Sequence, residues 1–185
     1  NNVPVTINKQ FKSSLKPNGK WYNAEEKLYS FPSYIAGLLK GKKHEWVVIA
    51  IENEGIVYGF YANKGYNNAS VSFNCDLDYI MEKCKECNCS TIMRFHNHPN
   101  DNPNYQTCLL ASEQDKLSAT WCAGQVIDSY NWLDFVCERG NFIKFYEQYS
   151  KKFVPQQART ENIESENGIS KFKNYKLHRE LGLFH

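Results

Sequence analysis

The sequence has no apolar run near the roughly 18 residues that a membrane-spanning helix needs, no internal repeat, and no marked excess of one charge. Its 22 lysines and arginines against 20 aspartates and glutamates give a formal charge of only +2. The lack of long apolar runs and of repeats argues against a membrane-spanning protein and a repeat protein, whereas the total charge says little until it is divided by position. The 15% aromatic content is too high for a disordered chain and predicts a soluble globular domain with one core.

The cysteine content indicates a reducing environment. Seven cysteines in 185 residues do not make a disulfide scaffold, and their odd number leaves at least one thiol unpaired. This cysteine usage leads us to expect a cytoplasmic location, and the lack of a visible cleavable signal segment is only weak support for it. Cys84, Cys87 and Cys89 form a cluster whose spacing could hold a structural metal ion, separate from the histidine site described below. The alternative is that these thiols pack as small hydrophobic groups.

The charges are unevenly distributed along the chain. Eight lysines stand against two glutamates between residues 9 and 43, whereas thirteen acids stand against six bases between residues 44 and 139. Nucleic-acid-binding proteins usually concentrate positive charge around their working surface, so the acidic middle argues against nucleic acid as a partner. The basic segment before residue 44 could instead steer an acidic partner.

Hydrophobic periodicity and turn signals predict an α/β fold with a mixed, mainly antiparallel β-sheet flanked by helices. Residues 1–29 form a lysine-rich, irregular lead-in, residues 30–150 the domain, and residues 151–185 a polar C-terminal extension that could contain a docked helix. Helices are predicted over 30–41, 76–84 and from Cys108 or Ser112 to Trp121, and strands over 46–51, 56–61, 69–73, 90–95, 126–127, 132–137 and 142–146.

A group of residues with metal-binding chemistry follows one of these strands. His96 and His98 lie two positions apart, so a strand places both imidazoles on the same face, where they can share a metal ion. Pro99 fits a strand that stops where a site opens. Ser112 and Asp115, three apart on a helix, lie on one helix face. Two histidines and one carboxylate leave a fourth position for water, as in hydrolytic zinc sites.

Such a site also needs a carboxylate that is not a ligand, because a proton must be moved during hydrolysis. Glu45 stands at the start of the apolar run 46–51 and is the main candidate. Glu52 and Glu54 flank the following turn and compete with it for this role.

The pattern His-x-His-Pro followed by Ser-x-x-Asp, with a glutamate upstream between a helix and an apolar strand, resembles the JAMM (MPN-plus, JAB-domain) zinc metalloproteases. The resemblance covers about residues 30–147 and implies their cytidine-deaminase-like fold. Family members cleave peptide or isopeptide bonds next to the C-terminal tail of ubiquitin or a ubiquitin-like protein, some of them with an adaptor or operon partner. Alternatives within this fold are a RadC-like relative with a nucleic-acid-linked role and a non-catalytic interaction scaffold.

The resemblance implies a role for each of the five positions. His96, His98 and Asp115 would be the ligands of one zinc ion per chain. Ser112 would help to stabilise the tetrahedral oxyanion, and Glu45 would be the base that activates the metal-bound water.

The sequence departs from the family pattern in one spacing. Twelve residues separate Pro99 from Ser112, which is more than is usual in the family. The extension predicts a longer substrate-facing loop over 100–111, a different third ligand, Asp101 in place of Asp115, or a site that has decayed. Because Ser112 and Asp115 keep their mutual spacing, we favour the longer loop.

Overall fold

The computed structural model describes residues 19–64, 77–99 and 110–152 of the chain. These residues form six strands and three helices, which follow one another as β1, α1, β2, β3, α2, β4, α3, β5 and β6. The strands are β1 (Lys20–Lys27), β2 (Trp46–Asn53), β3 (Ile56–Lys64), β4 (Thr91–Asn97), β5 (Asn131–Glu138) and β6 (Asn141–Gln148), and the helices are α1 (Phe31–Leu39), α2 (Leu77–Cys87) and α3 (Glu113–Val126).

All six strands form one sheet in the order β1-β3-β2-β4-β5-β6. Four of the five neighbouring pairs are antiparallel, and β4 and β5 are parallel. The predicted α/β class with a mixed, mainly antiparallel sheet is therefore confirmed. Since β4 and β5 run in the same direction, their last residues, Asn97 and Glu138, lie at one end of the sheet. The antiparallel strand β2 begins at the same end, at Trp46.

Apolar side chains cover both faces of the sheet. All residues of β4 and all but the last of β2 are buried. The continuous apolar run of β2 is typical of a strand covered on both sides. On one face, the Phe31 ring of α1 lies 5.8 Å from the Phe95 ring, which stacks on Phe135 at 4.5 Å between centroids. On the other face, α2 and α3 bury Ile80 and Val126.

The structure corrects two of the predicted elements. Residues 20–27, predicted to belong to an irregular lead-in, form β1, which pairs with β3 and buries Tyr22 and Ala24. An edge strand needs few inward side chains, so a polar, lysine-rich sequence suffices for it. Val126 and Ile127, predicted as a strand, lie at the end of α3 and in the following turn. Packing of Val126 against the sheet outweighs its preference for strands.

Several predictions concern residues outside the described ranges. These are the strand over 69–73, most of the loop over 100–111, the lead-in before residue 19 and the extension after residue 152. Among the helices of the described part, none has the length and apolar character needed to cross a membrane.

Candidate metal centre

The candidate centre begins at the C-terminal end of β4, where His96 and His98 lie. β4 runs between β2 and β5, and His96 is only 6% exposed. The Nε2 atoms of the two histidines lie 3.1 Å apart. Phe145 of β6 packs edge-on against the His96 ring, with 5.9 Å between the ring centroids. The alternation of the strand therefore brings both imidazoles together, as the sequence predicts.

Asp115 reaches the two histidines from the first turn of α3. Its Oδ2 atom lies 3.3 Å from His96 Nε2 and 3.4 Å from His98 Nε2. Ser112 is the N-cap of the helix, and its Oγ accepts a hydrogen bond of 3.0 Å from the Asp115 N–H. The Ser112 N–H in turn donates to Asp115 Oδ2 at 2.9 Å. This reciprocal capping box begins the helix and orients the carboxylate toward the histidines.

The neighbours of Asp115 also set its charge. Burial alone would raise the pKa of this carboxyl. The contacts with His96 and His98 and the N–H of Ser112 instead hold the pKa well below its usual range. The carboxylate is therefore ionised at neutral pH, and this is the form that binds a metal cation.

The three donor atoms have the spacing of a tetrahedral zinc site. Zinc bonds of about 2.0–2.1 Å to nitrogen and oxygen place two ligands of a tetrahedron about 3.3–3.4 Å apart. The observed separations among His96 Nε2, His98 Nε2 and Asp115 Oδ2 are 3.1, 3.3 and 3.4 Å. The spacing of these three atoms therefore fits a zinc ion. The alternative third ligand, Asp101, lies outside the described residues.

Glu45 joins the cluster from the residue before β2. It is buried, and its carboxylate forms a group with the ring nitrogens of His96 and His98 in which all ligand atoms lie within 4.8 Å of one another. Val47 pairs with His96 in the antiparallel register, which places Glu45 opposite His98. Glu45 could close the metal shell as a fourth ligand, as in structural zinc sites, or carry protons beside an open position.

The two competing bases lie at the opposite end of β2. Glu52 is fully buried, and its Oε2 accepts a hydrogen bond of 2.8 Å from the Gly55 N–H in the hairpin turn. Trp46 and Glu52 are six residue steps apart, which is about 20 Å along a strand. Neither Glu52 nor Glu54 therefore reaches the histidines, and Glu45 is the glutamate that does.

Asn97, between the two histidines, is a site residue that the sequence pattern does not reveal. Its Oδ1 accepts a hydrogen bond of 2.6 Å from the Trp46 N–H, and its Nδ2 donates to the His44 carbonyl at 3.0 Å. These two bonds lie on either side of Glu45 in the chain. Asn97 therefore fixes the backbone that carries Glu45, next to the strand that carries the histidines.

Replacing Asn97 with alanine should displace Glu45 without removing a metal-binding side chain. The Trp46 N–H and the His44 carbonyl would lose their partner, which costs about 1–3 kcal/mol for each buried group left unsatisfied. We expect lower stability in urea unfolding and, for the hydrolysis that the sequence resemblance implies, a rate reduced at least about tenfold, with the three candidate metal ligands left in place.

Asn131→Ala provides the matched control, because Asn131 is also buried and makes two hydrogen bonds, to Ser150 and Thr91. It lies at the opposite end of β5, so its loss should lower stability without a specific loss of hydrolysis. Equal loss of activity in both variants at equal stability would contradict a positioning role for Asn97.

A buried ion pair lies below the histidines on the same face of the sheet. Arg94, two residues before His96, donates from Nε to the two carboxylate oxygens of Asp134 at 3.2 and 3.0 Å, and its Nη2 lies 2.8 Å from Oδ2. Trp132 Nε1 donates to the same oxygen at 2.9 Å. Burial alone would lower the pKa of Arg94, but the Asp134 carboxylate raises it. A buried, hydrogen-bonded ion pair therefore lies next to the histidines along β4.

The cysteine cluster is not arranged as a metal site. Cys84 and Cys89 are buried against the sheet, Cys87 is half-buried, and all three are free thiols. Burial raises the pKa of Cys84 to about 12, which keeps it uncharged. Within the described ranges, the set of side chains with metal-like spacing is the one at the histidines. The three thiols are therefore better described as small hydrophobic groups.

Similarity to known proteins does not assign the chain to a family. No family model, curated protein or solved structure matches it. The functional argument consequently rests on the side chains of the centre and on the strands and helices that hold them.

Proposed function

We propose that the chain is a zinc-dependent hydrolase of the JAMM type, which cleaves a peptide or isopeptide bond next to the C-terminal tail of ubiquitin or a ubiquitin-like protein. The observation that carries this proposal is the convergence of His96, His98 and Asp115 at 3.1–3.4 Å, with the buried Glu45 beside them. The set combines three ligands of tetrahedral spacing with a further carboxylate, and a hydrolytic zinc site requires both.

The residues of the chain have separable roles in this reaction. When bound, zinc lowers the pKa of a water molecule to about 7 and polarises the substrate carbonyl. Glu45 accepts a proton from the attacking water and returns it to the leaving amine. Asn97 holds Glu45 in position through the backbone. Ser112 Oγ accepts a hydrogen bond from the backbone N–H of Asp115. The proton of the Ser112 hydroxyl can therefore be donated to the developing oxyanion.

An extended substrate tail can approach the centre along the edge of the sheet. β6 is the outermost strand beside β5, and within the described residues only one of its edges is paired. Strand addition at such an edge binds an extended peptide through main-chain hydrogen bonds. Since Phe145 of β6 contacts His96, a tail paired with β6 would lie near the metal ligands.

The proposal is tested with a panel of ubiquitin and ubiquitin-like proteins, each joined through its C-terminus to a reporter by a peptide or isopeptide bond. We expect cleavage of at least one fusion, loss of cleavage after metal removal with a chelator, and recovery on addition of zinc. The variant His44→Gln changes a histidine that is not among the proposed zinc ligands and should cleave as the wild type does. Its contact with Asn97 is made by the backbone carbonyl, which the substitution leaves in place. Cleavage that persists after complete metal removal contradicts the proposal.

Substitution of Ser112 should separate its two roles. Ser112→Ala removes the cap and the hydroxyl, so we expect a loss of about 1 kcal/mol in stability and about 10–100-fold in metal affinity, because Asp115 is less well oriented. Ser112→Asn keeps a capping side chain but has no hydroxyl. Ser112→Asn should retain the stability and metal affinity of the wild type, but its turnover should be as low as that of Ser112→Ala. Turnover restored to the wild-type rate in Ser112→Asn would contradict the oxyanion role. Metal competition titrations and initial rates measure the two effects.

A further inference from the structure

Strand β6 has a β-bulge close to the candidate centre. Tyr146 pairs with Asp134 of β5, whereas Lys144 pairs with the residue that follows Asp134. Phe145 is therefore an extra residue of β6, without a partner in β5. A bulge interrupts the alternation of a strand, so that two consecutive side chains can lie on one face of the sheet. Phe145 and Tyr146 both pack on the face that carries the histidines.

The Phe145 side chain reaches across β5 to His96. β5 lies between β4 and β6, and neighbouring strands are about 4.8 Å apart, so β4 and β6 are separated by about 10 Å. The ring centroids of Phe145 and His96 nevertheless lie only 5.9 Å apart, with 82° between the ring planes. The His98 ring contacts the same imidazole, with 4.9 Å between centroids. Two aromatic rings thus pack against a metal-ligand candidate that is only 6% exposed.

Packing is the restraint that the structure provides for the orientation of the His96 ring. A metal-binding histidine usually donates from its second ring nitrogen to a neighbouring group, which fixes the ring. His96 contacts His98 and Asp115 through Nε2. Within residues 19–64, 77–99 and 110–152, no protein group forms a hydrogen bond with His96 Nδ1. Since rotation about χ2 of histidine is broad, an imidazole that is not packed would swing Nε2 away from the other donors.

We propose that Phe145 is a positioning residue of the metal centre, which holds the His96 imidazole by packing so that Nε2 stays beside the donor atoms of His98 and Asp115. The bulge in β6 supplies this contact. The role of the contact in zinc binding rests on the proposed function, because a ring that is already oriented loses less conformational freedom when it binds a metal. The restraint itself exists without metal and without hydrolysis.

The first test is the zinc affinity of Phe145→Ala, measured by competition with a chromophoric chelator. We expect an affinity about tenfold below that of the wild type, as for other residues that orient a metal ligand. Phe142→Ala is the matched control, because Phe142 is also a half-buried phenylalanine of β6 but packs on the opposite face, 6.1 Å from Phe135. It should keep the wild-type affinity. Unchanged affinity in Phe145→Ala, or an equal loss in both variants, would overturn the proposal.

A conservative variant separates the positioning role from general damage to the fold. Phe145→Leu keeps a large apolar side chain and should bind zinc within about threefold of the wild type. With Co²⁺ in place of zinc, the visible absorption depends on the arrangement of the ligands. It should be the same in the wild type and Phe145→Leu and altered in Phe145→Ala. An affinity of Phe145→Leu as low as that of Phe145→Ala would show that packing is not the cause and would overturn the proposal.

The metal-free protein provides a measurement that does not depend on the proposed function. The imidazole C–H signals of His96 in NMR spectra report the motion of the ring. We expect one narrow set of signals in the wild type and Phe145→Leu, and broadened or doubled signals in Phe145→Ala. Equally narrow signals in Phe145→Ala would overturn the proposal. Failure of the proposed function would instead appear as a wild-type chain that binds no zinc or cleaves no fusion, while the His96 signals of wild type and Phe145→Ala still differ.

Discussion

The Glu45→Gln variant should lose about 10²–10⁴-fold in the rate of hydrolysis while it keeps its metal. Glutamine has the size of glutamate but no negative charge, so it cannot take a proton from water at neutral pH. The variant leaves His96, His98 and Asp115 unchanged, and these three supply the donor atoms at tetrahedral spacing. Cleavage rates and metal content of the same preparation measure both parts of the expectation.

The control for Glu45→Gln is Glu113→Gln, which removes an exposed carboxylate from the first turn of α3. Its rate should equal that of the wild type, because exposed charges of this kind contribute little. If Glu45→Gln loses the metal together with the activity, Glu45 is a fourth ligand and the coordination shell is closed. Cleavage at the wild-type rate in Glu45→Gln would show that another group is the base.

The Arg94→Met variant should lower the free energy of unfolding by about 3–5 kcal/mol. Methionine fills a similar volume but leaves the Asp134 carboxylate buried without its cation. Trp132 Nε1 then remains as a hydrogen-bond donor to Asp134, which is too little to stabilise a buried negative charge. Urea unfolding of the metal-free protein isolates this effect from metal binding.

The double variant Arg94→Met/Asp134→Leu should recover most of that loss, because it leaves no unpaired charge in the interior. Lys151→Met breaks an exposed ion pair of 3.1 Å with Asp128 and should cost less than about 1 kcal/mol. A double variant that is as unstable as Arg94→Met would mean that the buried charge of Asp134 is not the cause.

The sequence predicts the side chains of the candidate metal centre because local rules place them in pairs. His96 and His98 share a face through the alternation of one strand, and Ser112 and Asp115 meet through the first turn of one helix. Glu45 follows from the position of a carboxylate next to a buried strand. The histidine-bearing strand and the Asp115-bearing helix meet at the same end of the sheet because of the topology. The order of the predicted elements indicates this meeting.

The supporting contacts could not be predicted, because they join residues far apart in the chain. Asn97 bonds to the backbone 51 and 53 residues away, and Arg94 pairs with a carboxylate 40 residues away. Such partners depend on strand register, which no local pattern specifies. The sequence also does not indicate the strand β1, since an edge strand with polar side chains has little of the hydrophobic pattern by which strands are recognised.

The zinc content of the purified chain is the most direct test of the central claim. Protein prepared without chelator should contain one zinc ion per chain, measured by mass spectrometry of the metal. His98→Ala and Asp115→Asn should lose it, whereas Asp128→Asn, which changes an exposed aspartate, should keep it. A wild-type chain without zinc, or zinc retained equally in all three variants, would contradict the assignment of His96, His98 and Asp115 as a metal site.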